Sequence, residues 1–321
     1  MEKFYTKKKI LVTGGCGFIG SHLVEKLVEL GAEVTILDDL SGGFLKNIKK
    51  VKGKVTFVKD SVTNSTACLK AAKDKEIIFH LAAMVSVPES VVAPDMCHAI
   101  NVDGTVNLLE AARINGVKRF ILSSSAAVYG SREDACVETM PCNPLSPYGF
   151  SKYIGELYCK EYAMIYGVQT GVLLYFNVYG PRQNPNGAYA GVYAVFSKKM
   201  ANNEPITILG DGLQTRDFIP VSRVVEANLI MAMQDERVLN GQVFNIATGK
   251  SITLLELVDQ LRTSYPDYKQ EISFGPERPG DLKYSQADAS KYYNLCHRFY
   301  ETVFQGALSA RQPAKPSCAQ D

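Results

Sequence analysis

The 321-residue chain has no stretch near the roughly eighteen consecutive apolar residues that a bilayer-crossing helix needs, so no transmembrane segment is expected. It also lacks an excess of charge of either sign. Thirty-five Lys and Arg face 33 Asp and Glu, a net charge of +2. That balance excludes a protein held on nucleic acid mainly by phosphate contacts and a charged, disordered tail protein. The eight cysteines form no C-x-x-C pair, and only four histidines could share a metal with them, so no metal site is expected. Near the N-terminus, lysines precede the short run Ile10-Leu11-Val12, and glycines follow at once. This is too short for the core of a signal peptide. A chain this long builds a core without disulfide staples, so reduced thiols and a soluble, cytoplasmic protein are expected. What the chain has is apolar residues, at 46%. Its length suits two domains, or one large α/β domain with an extension.

The apolar residues come in short runs separated by helical spacing. Residues 9–13, 33–37, 55–59, 76–82, 119–125 and 170–176 are apolar at consecutive positions, as strands covered on both faces should be. Between them Val24, Leu27 and Val28, and then Val102, Val106, Leu109 and Ala112, recur three and four apart. Alternation of this kind predicts a doubly wound parallel sheet of the Rossmann type with a ligand crevice at the carboxyl ends of its strands. Past Phe176 the rhythm loosens. Residues 206–209 and 241–246 read as further strands, and Thr253 with Glu256 as the capping box of a helix. Residues 1–177 are expected to form the main sheet domain, with segments near 217–247 returning to it. Residues 178–321 would mainly form a smaller α/β substrate-binding lobe, with the last fifteen or so frayed.

The first strand runs into Gly14-Gly15-Cys16-Gly17-Phe18-Ile19-Gly20 and then a helical pattern. Gly14 permits the tight turn, Gly17 lets the backbone approach a pyrophosphate, and Gly20 allows close packing of helix on strand. The pyrophosphate would sit on the helix N-terminus. The second strand ends at Asp38. A carboxylate there accepts from adenosine ribose hydroxyls and repels a 2′-phosphate, so NAD is expected rather than NADP. Asp60 suits a contact to the adenine amino group or a cap on the following helix. Asn101 could orient the cofactor side of the crevice or cap the helix holding Val106 and Leu109.

Tyr148 and Lys152 stand four apart and share a helix face, behind Pro147 at the helix start. Ser123-Ser124-Ser125 ends the fifth strand, where ligands bind. An ammonium beside Tyr148 favours the phenolate. Bringing a phenol from about 10 to near neutrality needs roughly 4 kcal/mol, which a cation and a positive cofactor ring can supply. Such a phenolate is a general base toward an alcohol whose hydrogen leaves as hydride.

From Lys9 to about Asp288 the chain resembles the extended short-chain dehydrogenase/reductases of the NAD-dependent epimerase/dehydratase family, most of all their UDP-hexose 4-epimerases. The resemblance rests on the glycine turn, Leu81-Ala82-Ala83, Asn101-Val102-x-Gly104-Thr105, and Ser123-Ser124-Ser125-x-x-Val128-Tyr129-Gly130. It continues through Ser146-Pro147-Tyr148-Gly149-x-Ser151-Lys152, Tyr175-Phe176-Asn177-Val178-Tyr179-Gly180-Pro181, Arg216-Asp217-Phe218-Ile219 and Arg278-Pro279-Gly280-Asp281. It implies Tyr148 as catalytic base, Ser125 as its hydrogen-bonding assistant and Lys152 on the nicotinamide ribose. NAD would be held by Gly14, Gly17, Phe18, Ile19, Gly20, Asp38, Asp39, Asp60, Ser61, Leu81, Ala82, Ala83, Asn101 and Tyr175, together with Tyr148 and Lys152.

The UDP-sugar would meet Ser125, Tyr148, Asn177, Ala190, Val192, Thr207, Arg216, Arg278, Asp281 and Ser285. Two guanidinium groups suit a diphosphate because each can bind bidentately. Ala126-Ala127 stands where related dehydratases carry an acidic pair, which disfavours dehydration. Ser285 stands where epimerases restricted to UDP-glucose carry tyrosine, leaving room for an N-acetyl group. The resemblance further implies a homodimer. A UDP-glucuronate 4-epimerase or decarboxylase, and a non-catalytic NAD-binding regulator, are the alternatives. Beyond Asp288 the family's usual Leu-Gly-aromatic-x-Pro segment is missing, which leaves the packing of the C-terminal part open.

Overall fold

The computed structural model describes residues 1–186, 191–277 and 283–309, the side chains of 302–309 excepted. Its strands are β1 (Lys9–Thr13), β2 (Glu33–Leu37), β3 (Val55–Val58), β4 (Ile77–His80), β5 (Arg119–Ser125), β6 (Gln169–Tyr175), β7 (Asn177–Tyr179), β8 (Ile206–Leu209), β9 (Thr215–Pro220), β10 (Asn240–Ile246), β11 (Ser251–Thr253) and β12 (Ile272–Gly275). The helices are α1 (Glu2–Tyr5), α2 (Phe18–Glu29), α3 (Ser65–Ala71), α4 (Val87–Val92), α5 (Pro94–His98), α6 (Gly104–Asn115), α7 (Pro147–Tyr166), α8 (Val192–Ala201), α9 (Val221–Ala232), α10 (Leu254–Ser264) and α11 (Ser290–Ser309).

Seven strands form one parallel sheet in the order β10-β6-β5-β4-β1-β2-β3. Both faces are covered, which explains the unbroken apolar runs. From β1, Ile10 and Val12 point into a core shared with Leu23, Val24 and Leu27 of α2 and Val224 and Val225 of α9. Leu11, between them, points the other way, to Leu108 and Leu109 of α6 and Cys159 and Tyr162 of α7. The chain travels from β1 outward to β3 and then jumps back to lay β4 on the other side of β1. The carboxyl ends of β1 and β4, Thr13 and His80, therefore flank the point where an α/β sheet opens its ligand crevice.

Strand limits differ slightly from those expected. β3 stops at Val58 and β4 at His80. After His80 the chain bends over the end of β1, where the Leu81 and Ala82 amides both donate to the Thr13 hydroxyl at 3.2 Å. β6 starts and ends one residue earlier than the apolar run suggests.

The remaining strands make a three-stranded sheet, β11-β9-β7, and a parallel pair, β12-β8. Phe196 and Met200 of α8, Ile206 and Ile208 of β8, and Leu254, Leu257 and Leu261 of α10 form a separate small core beneath them. The C-terminal part closes in a helix despite its unusual sequence. Tyr292 and Leu295 of α11 are buried in the main core, and the Lys291 ammonium donates to the Val243 carbonyl at 2.7 Å. The helix is described as far as Ser309. Residues 310–321 lie outside the described residues.

Thr253 and Glu256 form the expected capping box at the start of α10, Thr253 Oγ1 accepting from the Glu256 amide and Glu256 Oε2 from the Thr253 amide. Thr253→Ala should cost about 1 kcal/mol of stability, read as a lower urea midpoint with an unchanged m-value.

Candidate active site

The glycine turn is built as its spacing requires. Gly14 has φ +66°, and a side chain on it would strike the backbone of Ala82. A Cβ on Gly20 would lie 2.1 Å from the Gly14 carbonyl oxygen, a backbone clash nothing can relieve. Gly17 is the N-cap of α2 and provides no side-chain cap, and no acidic residue occupies the first turn around Phe18 and Ile19. The helix thus keeps its free amides and positive end for an anion.

Asp38 is buried, and its two oxygens accept from the amides of Cys16 (2.8 Å) and Leu40 (2.9 Å). Burial pushes its pKa up; those two hydrogen bonds oppose this, and Asp39 adds to the rise. Each carboxylate oxygen has a second lone pair left for a ribose hydroxyl. Asp39 itself is exposed and occupied by Ser41. Asp60 does not cap the next helix: Asn64 does, and Asp60 braces both Asn64 and the Ser61 amide. A pyrophosphate, a ribose and an adenine can all be met along this edge, so the residues fit a dinucleotide.

Asn101 is not a helix cap either. It lies in a π-helical turn, residues 99–103, that joins α5 to α6, and it is 3% exposed. Its side-chain oxygen accepts from the Met84 amide at 2.8 Å, while its NH2 donates to the Met84 carbonyl at 3.0 Å. It therefore pins the segment after Leu81-Ala82-Ala83 across the crevice.

The proposed reacting groups meet at the carboxyl end of β5. Pro147 occupies the first turn of α7 and Ser146 caps it, accepting from the Gly149 amide. The Ser125 hydroxyl accepts from the Ala127 amide at 3.2 Å and lies near enough to the Tyr148 phenol to lower its pKa, and the Lys152 ammonium donates to the Ser123 carbonyl at 3.0 Å. Tyr148 and Lys152 are 8% and 7% exposed.

Burial raises the Tyr148 pKa above the usual phenol value, opposed by the Ser125 hydrogen bond and reinforced by Cys97. Burial also drives Lys152 down, to about 8, with Cys97 and Glu156 pulling it back. Burial thus favours the uncharged form of both side chains, and the expected phenolate calls for the cofactor's positive ring as well as Lys152.

Two further groups escaped the sequence reading. Glu156 continues the four-residue spacing of Tyr148 and Lys152, is 6% exposed, and accepts from the Ser124 hydroxyl. Burial raises it to about 7, against that hydrogen bond and Lys152. Its spacing was the available signal. Asn228 of α9 donates to the Tyr175 hydroxyl at 2.7 Å, which also shares a hydrogen bond with Ser123 (2.9 Å). Only the fold brings Asn228 there.

On the substrate side, Asn177 donates to the Asp217 carbonyl (3.1 Å) and reaches the Ser285 hydroxyl (3.4 Å). Arg216 is half-buried on β9, with one guanidinium nitrogen on the Thr215 carbonyl. Val192 begins α8. Thr207 is exposed on β8 and bonded to Ser273. Ala190, Arg278 and Asp281 lie outside the described residues.

The model of the family described as "NAD dependent epimerase/dehydratase family" matches residues 10–247. A UDP-glucose 4-epimerase of Mycolicibacterium smegmatis is 40% identical over 88% of this chain and 90% of its own. A UDP-N-acetyl-α-D-glucosaminuronate decarboxylase of Bacillus cytotoxicus is 34% identical over 79% of each. The structure of a UDP-N-acetylglucosamine 4-epimerase of Methanobrevibacter ruminantium, in complex with UDP-N-acetylmuramic acid, superposes with a TM-score of 0.86 at 38% identity, covering 90% of this chain and 92% of that one. By the family match and these relatives, the chain is a member of the NAD-dependent epimerase/dehydratase family.

Proposed function

We propose that the protein is a 4-epimerase of UDP-hexoses, interconverting UDP-glucose with UDP-galactose and their 2-N-acetylated counterparts. The observation that carries this reading is the buried Tyr148 at the sheet's ligand edge, at the end of β5, with Lys152 one turn along α7 and bonded to the Ser123 carbonyl. Bound NAD supplies acceptance and return of hydrogen at carbon 4 of the sugar. Tyr148 takes the proton of the 4-hydroxyl and gives it back, and Ser125 shares that proton's hydrogen bond. Lys152 stabilises the phenolate and meets the nicotinamide ribose. Arg216, with Arg278, anchors the diphosphate while the 4-keto sugar turns about it and presents its other face.

Ala126 and Ala127, following Ser125, offer no acid or base for eliminating water. The decarboxylase relative keeps a second reading in view, oxidation at carbon 4 followed by loss of a carbon-6 carboxylate. A panel of UDP-sugars and UDP-uronic acids, with C4 epimers and CO2 measured together, separates the two. Bound NAD without turnover on any of them would favour a regulator. The free thiols suit a reducing cytoplasm.

Tyr148→Phe should lower kcat by roughly 10²–10⁴-fold with little change in UDP-sugar affinity. Retained activity within a few-fold would assign the proton to another group. Ser285 is half-buried beside Asn177, and its carbonyl accepts from the Asp217 amide at 3.0 Å. Ser285→Tyr should fill the space on the sugar's C2 side at a cost of about 1–3 kcal/mol. Turnover of UDP-N-acetylglucosamine should fall at least tenfold while UDP-glucose turnover holds; a parallel fall in both would remove Ser285 as the gate.

Phe150, Leu157 and Met164, seven apart on α7, are 52%, 49% and 74% exposed, and Ile114 of α6 is 57% exposed. An apolar stripe of this kind on two adjacent helices suits a four-helix interface between two copies. Leu157→Glu should convert a dimer to a monomer in sedimentation at micromolar concentration. A wild-type monomer would sink the proposal.

A further inference from the structure

His80 is 2% exposed, touches neither proposed ligand, and ends β4 at the point where the crevice opens. Its Nδ1 lies 2.7 Å from the Thr13 hydroxyl and its Nε2 lies 3.0 Å from the Thr105 hydroxyl. The direction of each bond follows from the neighbours. The Thr13 oxygen already accepts from two amides, those of Leu81 and Ala82. Its two lone pairs are filled, so its own hydrogen goes to Nδ1. Nδ1 is then bare, and Nε2 carries the proton and donates it to Thr105. The Thr105 hydroxyl in turn donates to the Asn101 carbonyl at 2.6 Å.

From Asn101 the path continues. The Asn101 NH2 donates to the Ser151 hydroxyl at 2.9 Å, and Ser151 donates to the Tyr148 carbonyl at 2.8 Å. Thr13, His80, Thr105, Asn101 and Ser151 are all 4% exposed or less. Buried hydrogen bonds therefore run from the residue before Gly14 to the Asn101 carbonyl, and from the Asn101 side chain on to the backbone of the proposed base, with Asn101 itself joining the two runs.

We propose that His80, as the neutral Nε2–H tautomer, is a positioning residue that sets Tyr148 relative to the glycine turn. The inference rests on the assignment of Tyr148 as the base. A protonated His80 would have to donate at Nδ1 against a hydroxyl that is itself directed there, and one Thr13 amide bond would be lost. Burial and the Lys152 charge act the same way, taking the imidazole down to about 3. Replacing a threonine hydroxyl in such a chain leaves a buried donor with no acceptor. The π turn bearing Asn101 is then free to relax, and Tyr148 moves with it.

The test begins with the unaltered NAD-bound protein. With only four histidines present, 15N NMR of the ring nitrogens should show one imidazole that stays neutral and Nε2-protonated from pH 5 to 9, identified by its shift in Thr105→Ser. A buried ring protonated on Nδ1, or no non-titrating ring, overturns the proposal whatever the protein turns over. Thr105→Val removes the hydroxyl at nearly constant shape, whereas Thr105→Ser keeps it. Valine should lower kcat about tenfold on UDP-glucose, leave KM and retained NAD within twofold, and move the acidic limb of the kcat–pH profile. Serine should restore both kcat and the profile to within twofold of the parent. Equal activity of the two variants, or a loss with valine that only tracks a lower folded fraction, overturns the positioning role. An inactive parent protein would sink the epimerase reading and leave the tautomer result standing on its own.

Discussion

Lys152 places an ammonium, 7% exposed, in the middle of an α/β sheet's ligand edge, with the Ser123 carbonyl as its hydrogen-bond acceptor among the described residues. A buried cation is costly unless its surroundings are arranged for it. The arrangement is visible on every side. Glu156 lies one turn along the same helix, tied to Ser124. His80 is kept neutral. Burial raises the Tyr148 pKa above the usual phenol value.

Much of this was legible in the residues themselves. The parallel sheet followed from apolar runs with no alternation, and the dinucleotide turn from three glycines between a strand and a helix. Gly20 shows how tight that reading is, since any side chain would overlap the Gly14 carbonyl. The capping box at Thr253 and the proline start of α7 were equally local and equally plain.

What could not be read depends on contacts between distant segments. Asn101 could be a cap or a group orienting the cofactor side, and only the π turn shows it aimed at Met84 and Ser151. Asp60 could be a cap or an adenine contact, and Asn64 takes the place where the helix begins. The phenol's ionisation was judged from a cation four residues away and a positive cofactor ring. The burial that opposes that cation comes from Met84, Cys97, Ile100 and Ala127, which pack around Tyr148 only in the folded chain. The helix over 290–309 has no family motif to announce it, and its anchor is Tyr292 and Leu295 entering the main core.

The end of β5 places three demands on three adjacent residues. Ser123 serves Tyr175 with its hydroxyl and Lys152 with its carbonyl, Ser124 serves Glu156, and Ser125 serves Tyr148. Because successive side chains leave a strand on opposite faces, these duties are assigned by position in the pleat and not by residue type, which is the same at all three. The triplet is therefore tolerant in composition and intolerant in phase. Inserting or deleting one residue ahead of Arg119 would keep serine at two of the three places and strip the hydroxyl from one end, bringing Leu122 to the first place or Ala126 to the last.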